Sequence, residues 1–203
     1  MQGAEVTHSP EQIRCFIAIE LPDEAKEGLA RLKRELERTE HKFVKWVNPR
    51  GVHLTLKFLG NIHSKQVTEV TEAMRTAVQG ISRFHLEISD VGAFPNLKQA
   101  RVLWVGIGGA VDKLSRLQQN IESALTALGF AKEERSFVPH LTLARIKQGA
   151  SPMERRGFGE LVGTTIFEDK YHVEVEAVSL MRSQLTPAGA IYTRLTTVAL
   201  LEI

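Results

Sequence analysis

The tetrapeptide His-Leu-Thr-Leu occurs twice in this chain, at residues 53–56 and again at residues 140–143. Each copy lies in a run of residues typical of a β-strand, in which alternate side chains point to opposite faces. The histidine and the threonine of each copy therefore point to one face, and the two leucines point to the other. We predict that each copy presents an imidazole and a hydroxyl to a cleft while its leucines anchor it in a hydrophobic core.

Two imidazoles can hold opposite protonation states near neutral pH, because the ordinary histidine pKa is about 6.5. One histidine can then deprotonate an attacking oxygen while the other protonates a leaving oxygen, which suits an in-line displacement at phosphorus. Two threonine hydroxyls can donate hydrogen bonds to non-bridging phosphate oxygens. Such a set can open a 2′,3′-cyclic phosphate without a metal ion, and the candidate residues are His53, Thr55, His140 and Thr142.

A structural role is the alternative for both motif histidines, as core side chains that bond to neighbouring threonines. The repetition of the same pair favours catalysis, because packing does not require an identical His-x-Thr in two places. The other histidines lie near the N-terminus, in polar turns or at strand positions expected to face solvent, and none has a ligand spacing. They are His8, His41, His63, His85 and His172.

Strand and helix patterns alternate along the chain in an order that is used twice. In each half an apolar strand precedes an amphipathic helix, and a motif strand follows. The motifs are separated by close to half the chain, which indicates an internal duplication. The predicted strands cover residues 14–19, 43–47, 52–59, 84–91, 101–107, 138–146, 171–181 and 191–201, and the predicted helices begin near residues 22, 64, 111 and 153.

The duplication predicts an α+β fold with two lobes, each of which contributes one histidine strand. Each lobe would contain an antiparallel sheet with flanking helices, and the active-site groove would lie between the lobes. Residues 1–12 are predicted to form a flexible N-terminal tail. No long linker separates the halves, so residues 13–203 are predicted to form a single domain in which the two lobes interlock.

The composition fits a globular protein and excludes several other classes. A chain of 203 residues with 43% hydrophobic and 25% charged side chains can bury a sizeable core. The single cysteine, Cys15, has no partner for an intramolecular disulfide. No apolar run approaches the roughly 20 residues of a membrane span, and residues 1–12 lack the pattern of a signal peptide. We therefore expect a cytoplasmic protein without membrane contact, whose formal charge of +2 predicts only local contact with nucleic acid.

The chain resembles the two-histidine phosphoesterases, and among them the prokaryotic RNA 2′,3′-cyclic phosphodiesterases, also called 2′-5′ RNA ligases. The resemblance covers nearly the whole chain, and the doubled His-x-Thr motif is its most specific part. Cys15 departs from the pattern, since an aromatic residue is usual at that position beside Phe16. The matching segments are residues 14–18, Trp46, and residues 51–60, 92–95, 101–104, 139–145 and 183–192.

The resemblance implies an α+β fold with two lobes related by a pseudo-twofold axis. It also implies a metal-independent hydrolase without cofactors that converts the 2′,3′-cyclic phosphate ends of RNA to 2′-phosphomonoesters. In the family the first histidine is the proton donor and the second is the proton acceptor, which would assign these roles to His53 and His140. The symmetry of the motifs alone leaves the roles open. Family members also join RNA ends through a 2′-5′ linkage without ATP, with a ribose 5′-hydroxyl in place of water. Candidate substrates are tRNA fragments, decay fragments and small cyclic nucleotides, and we expect a monomer.

Arg145 lies five residues after His140, an odd offset that turns a side chain to the opposite face of a regular strand. A bulge or the end of the strand would bring it back to the groove. The resemblance favours a phosphate-binding arginine, and the alternative is a solvated cation at a strand end. Phe58 has the matching offset after His53, and both Phe58 and Phe16 are candidates for stacking on a base, with a core position as the alternative.

Two functions from other classes compete with this interpretation. A zinc hydrolase would also use histidines, but the sequence has no His-Glu-x-x-His helix, no cysteine pair and no carboxylate at ligand spacing beside either motif. A non-catalytic module that binds RNA ends would need the groove but not the proton-transfer groups. Both motifs are intact, which favours the enzyme.

Overall fold

Two antiparallel sheets and four α-helices make up the described part of the chain, which comprises residues 12–39, 41–167, 170–187 and 189–202 of a computed structural model. The predicted tail lies outside the described residues except for Gln12, which begins the first strand. The strands are β1 (Gln12–Glu20), β2 (Val44–Trp46), β3 (His53–His63), β4 (Phe84–Phe94), β5 (Val102–Gly109), β6 (His140–Ile146), β7 (Tyr171–Val175), β8 (Ala177–Thr186) and β9 (Gly189–Ala199). The helices are α1 (Asp23–Leu36), α2 (Val67–Val78), α3 (Val111–Thr126) and α4 (Pro152–Thr164).

The two sheets exchange strands between the halves of the chain. The first sheet has the order β3-β1-β8-β9, and the second has the order β2-β6-β5-β4-β7. Strand β2 comes from the first half but pairs with β6, whereas β8 and β9 come from the second half and complete the first sheet. The predicted α+β architecture, with an antiparallel sheet in each of two lobes, is confirmed.

The internal duplication is visible in the strand pairing. Each half contains a strand, a long helix and a motif strand, and the motif strand returns to lie antiparallel to the strand before the helix. Strand β3 pairs with β1 in this way, and β6 pairs with β5. The two copies of the motif therefore occupy equivalent places in the two sheets.

Local sequence signals account for the positions of the helices. Helix α1 begins after Pro22, has acidic side chains in its first turn, and buries Leu29, Leu32 and Leu36 on one face. Helix α4 begins with a capping box between Ser151 and Glu154, and it extends beyond the short helix that the sequence predicts. No helix in the described residues has both the length and the apolar character needed to cross a membrane.

The predicted strand over residues 171–181 is wrong in one respect, because two strands in different sheets replace it. Strand β7 pairs with β4 in the second sheet, and β8 pairs with β1 in the first sheet. Buried and exposed side chains alternate along β7, whereas four consecutive side chains from Val178 are buried in β8. The burial pattern changes at Glu176, because β7 has one exposed face whereas β8 is covered on both faces.

Replacement of a motif leucine should destabilise the protein strongly. Leu141 is fully buried, so Leu141→Ala should lower the free energy of unfolding by about 2–5 kcal/mol, through lost transfer energy and a residual cavity. Met153→Ala is the control, since Met153 is 82% exposed on helix α4, and it should change stability by less than about 0.5 kcal/mol. Urea unfolding measures both values, and equal effects would contradict an anchoring role for Leu141.

Candidate active site

Both motif strands open onto one groove with a volume of about 540 Å³. Leu54, Leu56, Leu141 and Leu143 are buried in the core, and the histidine and threonine of each motif are partly exposed on the opposite face. The groove therefore collects the side chains that the alternation of the two strands directs to it. All of the site residues predicted from the sequence line it, namely Phe16, His53, Thr55, Phe58, His140, Thr142 and Arg145.

The two histidines have the same hydrogen bond in both lobes. The Nδ1 atom of His53 lies 2.8 Å from the carbonyl oxygen of Gly51, and Nδ1 of His140 lies 2.8 Å from that of Val138. A carbonyl oxygen only accepts, so Nδ1 carries the hydrogen and donates in each case. Nε2 is then the nitrogen of each ring that can accept or release a proton in the groove.

The surroundings of the two imidazoles differ. The ring of Phe16 stacks on His53 with centroids 4.4 Å apart, and Tyr192 contacts His53 edge-on at 4.9 Å. His140 has an edge-on contact with Phe94 at 5.0 Å. Burial between Phe16 and Tyr192 lowers the pKa of His53. The hydrogen bond to Gly51 and the charge of Glu20 act in the opposite direction and raise it, but burial has the larger effect. His53 therefore releases its proton more readily than an ordinary histidine.

Glu20 provides a fixed negative charge near His53. Arg194 donates from Nε and from a terminal nitrogen to the two carboxylate oxygens of Glu20, at 2.7 and 2.8 Å. This bidentate bond holds the pKa of Glu20 below its usual range, and the hydroxyl of Ser179 donates a further bond at 2.6 Å. The carboxylate is therefore ionised and stabilises the protonated form of His53.

A β-bulge in β6 places Arg145 on the groove. Thr142 and Ala144 pair with consecutive residues of β5, so Leu143 is an extra residue in the ladder. The extra residue shifts the alternation by one position, and Leu143 and Ala144 both face the core. Arg145 is exposed and lines the groove despite its odd offset from His140.

The first lobe repeats this bulge. Thr55 and Lys57 pair with consecutive residues of β1, which makes Leu56 the extra residue. Phe58 consequently lines the groove and is 60% exposed, so it does not occupy a core position. Phe16, in contrast, lines the groove with a side chain that is only 2% exposed, because its ring packs against His53.

Several other residues that line the groove were not predicted from the sequence. Tyr192 lies far from His53 in the chain, although it belongs to a segment that carries the family resemblance. Its ring comes close to Gly51, where an added Cβ would lie only 3.1 Å from it. No spacing in the sequence distinguishes the other groove residues from ordinary surface residues. These groove residues include Arg14, Lys57, Glu122, Arg135, Ser136 and Ser183.

Cys15 does not supply a nucleophile to this groove. Its side chain is buried, and burial raises the pKa of the thiol to about 11. The thiol is therefore protonated near neutral pH. Within the described residues, no three histidine, cysteine or carboxylate side chains come together as the ligands of a metal ion do.

A family model described as LigT like Phosphoesterase matches residues 19–104 and 106–192 of the chain. Proteins named RNA 2′,3′-cyclic phosphodiesterase are similar over most of its length. The protein of Methanothermobacter thermautotrophicus is 34% identical over 182 residues, which are 90% of this chain and 96% of the relative. The protein of Aeropyrum pernix is 37% identical over 170 residues, which are 81% and 90% of the two chains.

Solved structures share the fold. The structure of E. coli LigT complexed with 3′-AMP matches with a TM-score of 0.75 and 24% identity, over 95% of this chain and 100% of that one. The protein TT0787 of Thermus thermophilus matches with a TM-score of 0.72 and 25% identity, over 93% and 98% of the two chains. The first of these likenesses, below 25% identity, supports the fold alone.

Removal of the Tyr192 ring should raise the pKa of His53. Tyr192→Ala exposes one edge of the imidazole to water, and water stabilises its protonated form. Titration of the imidazole by NMR should show a midpoint below about 6.5 in the unaltered protein and a shift toward that value in the variant. Tyr171→Phe is the control, since Tyr171 packs in the other sheet. An unchanged His53 midpoint in Tyr192→Ala would contradict desolvation as the cause.

Proposed function

Because this chain belongs to the LigT-like phosphoesterase family, we propose that it hydrolyses the 2′,3′-cyclic phosphate ends of RNA to 2′-phosphomonoesters. One observation carries the proposal: His53 and His140 line one groove, and each donates from Nδ1 to a carbonyl oxygen so that Nε2 is available for proton transfer. The relatives named RNA 2′,3′-cyclic phosphodiesterase support the same substrate.

The hydrolysis requires two proton transfers and no oxidant or activated cofactor. His140 accepts a proton from water, whose oxygen attacks phosphorus as the bond from phosphorus to O3′ breaks. His53 gives its proton to O3′, which leaves a 3′-hydroxyl and a 2′-phosphate. An anionic phosphate next to His53 favours the protonated ring before the reaction, and the lowered pKa favours proton release as O3′ departs.

Three further side chains would stabilise the phosphate during the displacement. Thr55 and Thr142 would donate hydrogen bonds from their hydroxyls to the two non-bridging oxygens, one from each lobe. Arg145 would add a charge-assisted bond, since its guanidinium lines the same groove. The exposed ring of Phe58 offers a surface on which the terminal base can stack.

The same groups support ligation when a different hydroxyl attacks the same phosphorus. When water attacks, the products are a 2′-phosphate and a neighbouring 3′-hydroxyl. When a ribose 5′-hydroxyl attacks in place of water, O3′ leaves in the same way and a 2′-5′ linkage forms without ATP. Water is far more concentrated than any RNA end, so hydrolysis dominates unless the groove holds the 5′-hydroxyl in line with phosphorus. RNA fragments with cyclic ends, among them tRNA fragments, are the proposed substrates.

Replacement of either motif histidine should lower turnover. His53→Ala and His140→Ala should each reduce kcat by about 10²- to 10⁴-fold, the usual contribution of one general acid or base. The measurement is hydrolysis of a 2′,3′-cyclic end, with the 2′-phosphate product identified by chromatography. The double variant should lose less than the product of the two single effects, because the pair acts as a unit.

The matched control for these variants is His172→Ala. His172 is an exposed histidine on strand β7 that does not line the groove, so its loss should leave kcat unchanged. Near-normal turnover in either His53→Ala or His140→Ala would exclude the acid and base roles proposed for the pair.

The pH dependence of kcat/KM should be bell-shaped, since one imidazole must be neutral and the other protonated. The lowered pKa of His53 places the alkaline limb at a lower pH than an ordinary histidine would give. Bound phosphate raises that pKa, so the alkaline limb of kcat should lie at higher pH than the limb of kcat/KM. His53→Ala should remove the alkaline limb and His140→Ala the acidic limb.

Activity in the same assay should be unchanged in EDTA. A rate that rises steadily with pH and is lost in chelator would indicate a metal-bound hydroxide instead.

Loss of the acidic limb of the pH profile in His53→Ala would reverse the acid and base roles proposed for the two histidines.

A further inference from the structure

A buried ion pair forms part of the groove between the lobes. Nζ of Lys57 lies 2.8 Å from a carboxylate oxygen of Glu122, and the two side chains are 6% and 7% exposed. Lys57 belongs to β3 in the first sheet, whereas Glu122 belongs to α3, which follows a strand of the second sheet. Both side chains line the groove that contains the two histidines.

The bulged strand itself does not require this charge. The position equivalent to Lys57 in the second lobe is Ala144, which follows the same bulge and is fully buried. Burial of two charges removes hydration that their mutual attraction repays only partly, so apolar side chains often serve a fold as well. Packing of the bulged strand therefore does not by itself explain a lysine at position 57.

The ion pair holds the segment that joins α3 to β6. Nζ of Lys57 also donates to the carbonyl oxygen of Ala131 at 2.7 Å, and the backbone nitrogen of Glu133 donates to Glu122 at 3.3 Å. Gln118 donates to the other oxygen of Glu122, which completes the set of partners. The segment has no helix or strand of its own over residues 127–139, so these bonds fix its path.

The held segment forms one wall of the groove. Arg135 and the three residues after it line the groove, and the chain then enters β6 at His140. Arg135 is exposed, and its guanidinium can bind a phosphate with two hydrogen bonds. It lies on the second-lobe wall of a groove that already contains Thr55, Thr142 and Arg145 for the cyclic phosphate.

We propose that Lys57 and Glu122 are positioning residues that hold segment 131–138 so that Arg135 binds a second phosphate, in the RNA backbone beyond the cyclic end. This inference rests on the proposed function, and it narrows the substrate class to oligonucleotides. A nucleoside 2′,3′-cyclic phosphate has one phosphate and gains nothing from Arg135. A dinucleotide with a cyclic end has the second phosphate and should bind more tightly.

The test compares kcat and KM for these two substrates. Arg135→Ala should raise KM for the dinucleotide by about 10-fold or more, the contribution of a charge-assisted bond to phosphate. Its kcat should not change, and KM for the cyclic mononucleotide should change by less than about twofold. Arg156→Ala is the matched control, because Arg156 is an exposed arginine that does not line the groove. Equal changes of KM on both substrates would overturn the second phosphate site.

The positioning role is tested by a paired variant, Lys57→Met with Glu122→Leu, which replaces both charges with apolar side chains and is expected to fold. It should raise KM for the dinucleotide as Arg135→Ala does, with kcat retained. Combination with Arg135→Ala should add nothing, because the pair acts through Arg135. A normal KM in the paired variant, or effects that multiply, would overturn the positioning role.

Two measurements distinguish a misfolded variant, failure of the second phosphate site and failure of the proposed function. Thermal unfolding shows whether the paired variant is folded, and if it is not, Glu122→Gln takes its place with the same expected KM. Absence of turnover on both substrates by the unaltered protein would reject the proposed function itself, whereas normal turnover without a KM difference between variants would reject only the second phosphate site.

Discussion

The burial of two leucines in each motif is the interaction on which the site depends. A strand displaced by one residue would turn every side chain to the opposite face, and the register is therefore fixed wherever one face is apolar. Full burial of a leucine contributes about 1.5–3 kcal/mol, and Leu54, Leu56, Leu141 and Leu143 are all buried. The histidines and threonines face the groove because the leucines between them cannot face it.

The lobes share a backbone design but differ in the side chains around it. Both motif strands have a bulge after the threonine, and both histidines donate to a carbonyl oxygen two residues earlier. In the first lobe, Phe16 and Tyr192 enclose His53. The residue that follows the bulge also differs, since it is Lys57 in the first lobe and an alanine in the second. The lowered pKa of His53 on this symmetric frame allows two copies of one motif to take different parts in one reaction.

Local patterns in the sequence predict the parts of the fold that depend on alternation and amphipathicity. The motif faces, the duplication and the two-sheet architecture belong to this group. The bulge at Leu143 could be raised only as an alternative, since one extra residue leaves no mark in an apolar run. The pairing of β7 and β8 with different sheets and the contact of Tyr192 with His53 depend on residues far apart in the chain. Such contacts are set by tertiary packing, which a pattern of period two does not contain.

The exchange of strands between the sheets also orders events during synthesis. Strand β1 precedes the other described strands in the chain, yet one of its two neighbours in the sheet is β8, from residues 177–186. Until those residues are available, β1 has one open edge and the face that supports His53 lacks Tyr192 of β9. A nascent chain that already contains both motifs therefore has an unfinished groove. The groove is complete only when β8 and β9 have joined the first sheet.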